Sequence, residues 1–257
     1  MAVYIGGTEI GSVYIGSTKA DAVYIGETKV WPTLPPWWPD EWEYINSTGN
    51  FESVEQARAA ADRRGIDYET VTTLDFGFDL SGSTDAAGLV GLWAGLERVA
   101  IRGTSNVTNT QQMFHFCSSI VEVPLFDTSN VTNMVSMFNT CSSIVEVPLF
   151  DTSSVTDMRL MFYSCSSLKA VEFTDCSKVT NVNDMLGECT SLERLILPGL
   201  SVGIDLTDTA LGATALNDFF DALGQANGTQ EIDITGTPGA SSCDPTIAEN
   251  KGFTVIR

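Results

Sequence analysis

A 24-residue pattern occurs four times in succession, and it constrains the fold more than any other feature of the chain. The copies span residues 102–125, 126–149, 150–173 and 174–197. The second and third, FDTSNVTNMVSMFNTCSSIVEVPL and FDTSSVTDMRLMFYSCSSLKAVEF, differ little. Because units of equal length that cannot bury a core alone stack on one another, the spacing predicts a stacked array. Each 24-residue unit is called a coil below.

Within each coil, one apolar spacing is typical of a strand and another is typical of a helix. The strand triplets are Val71/Leu74/Phe76, Leu96/Val99/Ile101, Ile120/Val123/Leu125, Ile144/Val147/Leu149, Leu168/Val171/Phe173 and Leu192/Leu195/Leu197. The helical set in one coil is Val131, Met134, Met137, Phe138 and Cys141. The fold class predicted is therefore an α/β repeat solenoid of strand-turn-helix coils with a parallel sheet on one face. A parallel β-helix is the alternative.

The ends of the array have their own signals. A capping box, Ser53 to Gln56, begins a predicted helix over 53–64 that covers the first coil of a solenoid spanning 51–257. A C-terminal cap is predicted over 198–257, with a helix at Ala213–Leu223. Closing strands are expected at Ile232–Ile234 and Phe253–Ile256, with a loop marked by proline and glycine between them.

A second, shorter repeat occupies residues 1–31 and reads AVYIGGTEIG, SVYIGSTKAD, AVYIGETKVW. V-Y-I is a β-type triplet that glycine ends, and the threonine after it starts a second strand, so brief strands or hairpins are expected. Residues 32–50 follow as a connector rich in proline and tryptophan. Prolines forbid helix and central strand here and favour an extended chain.

The charge and composition exclude several classes of partner. With 33 acidic and 13 basic residues, the net charge is −20, which disfavours nucleic acid and anionic lipid. No stretch approaches the ~20 apolar residues of a membrane span, so no membrane insertion is expected. No secretory signal is visible at the N-terminus.

The repeated cysteines and aspartates, which are residue types that bind metals or catalyse reactions in other proteins, are predicted to be packing and turn residues in this chain. Cys117, Cys141, Cys165 and Cys189 recur every 24 positions and predict a column of buried thiols instead of disulfides or a zinc site. Asp127, Asp151 and Asp175 recur likewise and predict side chains that bind loop amides, with a calcium ladder as the alternative. We expect no catalytic residues, no metal and no cofactor. Paired carboxylates of a glycan-cleaving enzyme are the alternative, but no pair is singled out.

The outward side of the predicted strands is the candidate binding face. The residues proposed for it are Val121, Glu122, Val145, Glu146, Lys169, Glu193 and Arg194. Such a partly apolar, acidic surface suits a host protein or glycan, and a solvated face that binds nothing is the other interpretation.

The repeat, read as L-x-x-V-x-L/F followed by F-D-T-S-N-V-T-N-M-x-x-M-F-x-x-C-S-S-L, resembles the BspA-type leucine-rich repeat over about Val71–Leu197. Bacterial proteins with this repeat are surface adhesins. The V-Y-I-G-x-T-K array and the closing T-G-T-P-G-A-x-x-C-D-P-x-I-A-x-x-K-G-F resemble segments of minor tail and tail-tip proteins of tailed bacteriophages.

The phage resemblance implies a structural and binding component of a virion tail that is assembled in the host cytoplasm. Residues 1–31 would contact other tail proteins, and the solenoid would face a host surface protein or glycan. Several copies or a homo-oligomer are expected in the tail. A bacterial surface adhesin of the BspA type is the alternative function.

We predict that deletion of residues 1–31 leaves the repeat array folded, because the array has its own core, but removes the protein from phage particles. Circular dichroism of the truncated protein and immunoblots of purified particles check this. Particles that incorporate the truncated chain as well as the full chain would reject the attachment role.

Overall fold

The computed structural model of the chain describes Asp67 and residues 70–257, with the backbone alone at 73–77, and the backbone of five short strands before them. The chain divides into two compact units, Met1–Trp42 and Glu43–Arg257.

The first unit contains two antiparallel hairpins built from the decapeptide repeat. Strand β1 (Val3–Ile5) pairs with β2 (Thr8–Ile10), and β3 (Val23–Ile25) pairs with β4 (Thr28–Trp31). In both hairpins the V-Y-I triplet forms the first strand and the threonine opens the second, which confirms the prediction for these copies. The middle copy lies outside the described residues.

The described residues of the second unit form parallel strands and two α-helices. Its strands are β5 (Glu43–Asn46), β6 (Thr73–Asp79), β7 (Arg98–Arg102), β8 (Ala170–Glu172), β9 (Arg194–Ile196), β10 (Ile204–Asp205), β11 (Gln230–Asp233) and β12 (Phe253–Ile256). The helices are α1 (Ala213–Ala222) and α2 (Thr246–Glu249). The sheets are ordered β5-β6-β7, β8-β9 and β10-β11-β12, and every pairing in them is parallel.

The start of this unit differs from the prediction. Strand β5 lies within residues 32–50, which we predicted to be a connector, and it pairs with β6 from Glu43↔Phe76 to Asn46↔Asp79. Its sequence, Glu-Tyr-Ile-Asn, follows the last proline of the tryptophan-rich stretch, so nothing prevents it from joining a ladder. The helix predicted over 53–64 lies outside the described residues.

The short helix predicted in each coil is wrong, although the side chains that predicted it are buried. Val131, Met134, Met137, Phe138 and Cys141 are all fully buried. The backbone that carries them forms successive turns, not a helix. The same holds for the equivalent stretches of the other coils, and we call these stretches the turn segments: residues 109–117, 133–141, 157–165 and 181–189.

Hydrogen bonds between coils replace the helical ones in the first three turn segments. The N–H groups of Met134, Ser136 and Phe138 donate to carbonyl groups of the next coil, those of Asp157, Arg159 and Met161, over 2.9–3.0 Å. The alternate amides stay local: the N–H of Met137 donates to the carbonyl of Met134 at 3.2 Å. Each local turn is thus followed by a backbone hydrogen bond to the neighbouring coil. The successive i→i−4 hydrogen bonds that define an α-helix therefore do not form.

Left-handed residues make this pattern possible. Ser136 and Thr140 have φ of 55° and 64°. Equivalent residues of the other turn segments also have positive φ: Gln112, Phe116, Leu160, Ser164, Asp184 and Glu188. Non-glycine residues pay a free-energy cost in this region, so the contacts between coils must offset it.

The aligned turn segments stack identical side chains in the core. The rings of Phe114 and Phe138 lie 5.1 Å apart and nearly parallel, and those of Phe138 and Phe162 lie 5.5 Å apart. Beside them, the thiol of Cys141 donates to the carbonyl of Phe114 at 3.1 Å, and that of Cys165 to the carbonyl of Phe138 at 3.0 Å. The predicted column of buried thiols is confirmed, and each described cysteine is free.

Burial controls the chemistry of these thiols. Burial raises the pKa of Cys141 and Cys165, and it raises the pKa of Cys189 to about 12. A thiol that stays protonated is a poor nucleophile and a poor metal ligand, so the column acts as packing.

The first step of the C-terminal cap is longer than a coil. Ile204 pairs with Ile232 in β10 and β11, which lies 28 positions further along the chain. Helix α1 confirms the predicted helix to within a residue, and Leu216, Phe219 and Phe220 of its inner face are buried. Strands β11 and β12 confirm the predicted closing strands. The predicted loop after β11 forms turns, and helix α2, which was not predicted, follows it before β12.

We predict that Phe138→Ala lowers the free energy of unfolding by about 3–5 kcal/mol, because the ring is fully buried between two others. Phe116→Ala, at an exposed position of a turn segment, is the matched control and should cost less than about 1 kcal/mol. Urea denaturation measures both. A loss below about 1 kcal/mol for Phe138→Ala would contradict the stacked core.

Candidate binding face

The residues predicted to point outward from the strand side of the coils do so. Glu122 is half-buried and the other six are exposed: Val121, Val145, Glu146, Lys169, Glu193 and Arg194. Positions 121, 145, 169 and 193 are one coil apart, so they form a row that crosses the coils. The row changes from apolar in the first two coils to charged in the last two.

Prolines interrupt the strand side of the array in those first two coils. Pro124 and Pro148 stand where the strand-forming coils have Ala100, Glu172 and Ile196. Because proline has no N–H to give to a ladder, neither coil forms a strand there. A bridge between Glu146 and Ala170 and the hydrogen bond from the Val121 N–H to the Glu97 carbonyl still link these coils to their neighbours. The continuous sheet predicted along this face is therefore wrong at these two coils.

The interrupted coils also place a different residue in the core than predicted. Leu125 and Leu149, the last members of their triplets, are 58% and 59% exposed, whereas Phe126 and Phe150 are buried. Phe150 lies 6.2 Å from the Phe138 ring, much as Phe173 lies 6.3 Å from Phe162. The phenylalanine after each leucine thus takes the core place, and the one-residue offset turns the leucine outward.

This offset creates an exposed apolar surface. Val121, Leu125, Val145 and Leu149, which we call the apolar strip, are four of the seven large apolar side chains that are exposed in the described part of the chain. A groove of about 380 Å³ lies beside Val121 and Val145 and includes Pro148 in its lining. Large apolar side chains that are exposed together are typical of interaction sites.

The carboxylates of this face differ in their surroundings. Glu122 lies 3.8 Å from the guanidinium of Arg98, so its charge is partly balanced. Glu146, one coil further on, has no basic partner among the described residues and lines the same groove. The groove therefore combines apolar walls with one unbalanced negative charge.

The remaining predicted residues lie away from this groove. Arg194 pairs with Glu172 across β8 and β9, and Lys169 and Glu193 follow each other in the same row. The structure thus brings together Val121, Glu122, Val145 and Glu146, and it places the other three on the later, charged coils. Leu125 and Leu149 were missed, and their signal was the proline directly before each leucine.

The aspartate column binds loop amides as predicted. One carboxylate oxygen of Asp127 accepts the N–H of Ser129 at 3.0 Å, and Asp151 and Asp175 accept those of Ser153 and Ser177 in the same way. The N–H of Ser153 lowers the pKa of Asp151. These are turns closed by the aspartate side chain.

No group of three or more histidine, cysteine, aspartate or glutamate side chains in the described part of the chain is placed to hold a metal ion. No helix among the same residues has the length and apolar character needed to cross a membrane.

We predict that Phe150→Ala lowers the free energy of unfolding by about 3–5 kcal/mol, because it empties a core position. Leu149→Ala, the neighbouring exposed position, should change it by less than about 0.5 kcal/mol. Chemical denaturation of the two variants decides the register. The reverse order of costs would show that leucine, and not phenylalanine, faces the core.

Comparison with known proteins gives one match. Residues 95–197 match the family model described as Mycoplasma protein of unknown function, DUF285, a family related to BspA-like repeats. No curated protein matches the chain, and no solved structure matches it. The part of the chain that holds the 24-residue coils is therefore similar to the DUF285 family.

Proposed function

We propose that this protein is a structural and binding component of a phage tail, and that its coils form a leucine-rich-repeat-like solenoid displaying the apolar strip for host recognition. The observation that carries the binding role is the exposure of Leu125 and Leu149 on the same two coils that expose Val121 and Val145. Side chains of this size are buried at the equivalent positions of other coils, as Phe173 and Leu197 are.

The chemistry of the strip favours a protein or glycan surface as partner. Its apolar side chains would cover the hydrophobic face of a sugar or a side chain, and Glu146 would accept hydrogen bonds from hydroxyl groups or pair with a cation. Because coils 102–125 and 126–149 both end in SSIVEVPL, the strip presents the same contacts twice. Duplicated contacts suit a repetitive host surface through avidity.

The tail context rests on the N-terminal unit. Its hairpins repeat a short β-motif that resembles segments of phage tail proteins, and isolated two-stranded hairpins are only marginally stable in water. Packing against other tail proteins would supply the burial that such hairpins lack.

A second candidate is a bacterial surface adhesin of the BspA type. The observation that favours it is the family match over residues 95–197. In that case the same strip would bind a surface, but the protein would be displayed by a bacterium instead of a virion.

Immunogold electron microscopy separates the two candidates. With an antibody against the coils, we expect gold on the tails of particles released from the cells that carry the gene. Gold on the bacterial envelope, with none on particles, would reject the tail role and favour the adhesin.

The strip itself is tested with the double variant Leu125→Ser/Leu149→Ser in virions. Because both leucines are exposed, the fold should be retained, and adsorption to a susceptible host should fall about tenfold. Phe116→Ser removes an exposed apolar side chain from a turn segment and is the matched control. Unchanged adsorption by the double variant would reject the strip as the recognition surface.

A further inference from the structure

The ladder of backbone hydrogen bonds between coils stops at the C-terminal end of the repeat. Thr108, Thr132, Thr156 and Thr180 each donate their N–H to the carbonyl of the threonine one coil before, over 2.8–2.9 Å. Parallel bridges accompany them up to Asp157↔Asn181. One coil further, the spacing reaches Asp205, but Asp205 pairs with Asp233 and not with Asn181.

Backbone groups remain without partners on both sides of this break. In the preceding coil, the N–H groups of Met158 and Leu160 donate to the carbonyls of Asn181 and Asn183 at 2.9 Å. The equivalent N–H groups, those of Val182 and Asp184, donate to no residue in the described part of the chain. A row of such groups is the kind of edge on which another chain can pair.

The facing side offers an acceptor. Leu206 and Asp208 direct their N–H groups away from the break, to the carbonyls of Asp233 and Thr235 at 2.8 and 3.1 Å. The carbonyl of Thr207, which would accept from the preceding coil if the ladder continued, receives no backbone hydrogen bond from the residues that the structure describes. The N–H groups of Val182 and Asp184 therefore lack acceptors on one side of the break, and the carbonyl of Thr207 lacks a donor on the other side.

The break has a physical cause in the change of period. The coils repeat every 24 residues, whereas β10 and β11 pair at a spacing of 28, because α1 adds length to the cap unit. The cap thus pairs within itself. A cavity of about 380 Å³ lies where the 24-residue spacing gives way to the 28-residue spacing. It is lined by residues 182–184 and 203–205 and by side chains of β11 and β12. We call it the cap cleft.

The lining of the cap cleft is acidic. It includes Asp184, Asp205, Glu231 and Asp233, and no lysine or arginine is among its lining residues. One oxygen of Asp205 and one of Asp233 accept the N–H groups of Thr207 and Thr235, which fixes both side chains in place. Ile256, 37% exposed, adds an apolar contact.

We propose that the cap cleft binds an extended, lysine- or arginine-bearing peptide segment of a partner protein. Carbonyls of the segment accept hydrogen bonds from Val182 and Asp184, and one of its N–H groups donates to the carbonyl of Thr207, as in strand addition to a sheet edge. The cationic side chains pair with the carboxylates of the lining. A second copy of this chain is a poor occupant, because each copy carries a net charge of −20.

The test uses the full chain and a synthetic peptide of six alternating lysine and valine residues. We expect the peptide to slow hydrogen exchange at the Val182 and Asp184 amides, followed by NMR. A peptide of the same sequence with methylated backbone nitrogens keeps the charge but loses the donors, so it should bind at least about fivefold more weakly. Equal binding of both peptides, or no slowing at these two amides, would overturn the proposal.

Charge variants provide the matched control. Asp205→Asn/Asp233→Asn keeps the oxygens that accept the turn amides but removes two charges, and it should weaken binding of the lysine peptide about fivefold. Asp127→Asn makes the same exchange in a turn outside the cleft and should leave binding unchanged. Equal weakening by both would mean that the peptide binds the acidic surface in general, which would reject the cleft as its site.

Discussion

The stacking of coils depends on where the backbone amides of the turn segments find their acceptors. In the first three turn segments, residues 109–117, 133–141 and 157–165, alternate N–H groups donate to the next coil and the others close local turns. A buried amide without an acceptor would cost on the order of 1–3 kcal/mol, so each coil depends on its neighbour for satisfied backbone groups. The left-handed conformations of Ser136, Thr140 and their equivalents are tolerated because they direct these amides outward to the next coil.

The side-chain rows follow from that backbone. Once Met134, Ser136 and Phe138 are linked to the coil after them, equivalent side chains superpose, and Phe114, Phe138 and Phe162 stack in the core. The strand side has more freedom, because a proline there removes only one ladder position. That freedom gives the protein its exposed leucines, and the mismatch of period at Asp205 gives it the cap cleft.

Much of the core could be predicted from spacing, while the backbone that carries it could not. Met137, Phe138 and Cys141 are buried as predicted, but their i, i+1, i+4 spacing also fits turns whose amides bond between coils. The choice depends on the adjacent coil, which local periodicity does not report. The offset at Leu125 and Leu149 was likewise not predicted, because each leucine is followed by a phenylalanine and either residue could occupy the core position. The prolines before them, Pro124 and Pro148, determine that the phenylalanine is buried. Helix α1 was predicted well because its amphipathic pattern needs no neighbour to define it.

Scalar couplings across hydrogen bonds test the origin of the stack most directly. In a ¹⁵N,¹³C-labelled sample, the amide nitrogen of Phe138 should couple to the carbonyl carbon of Met161, and that of Phe162 to the carbonyl carbon of Met185. Couplings from these amides to carbonyls four residues earlier in their own coil would indicate helices and contradict the account.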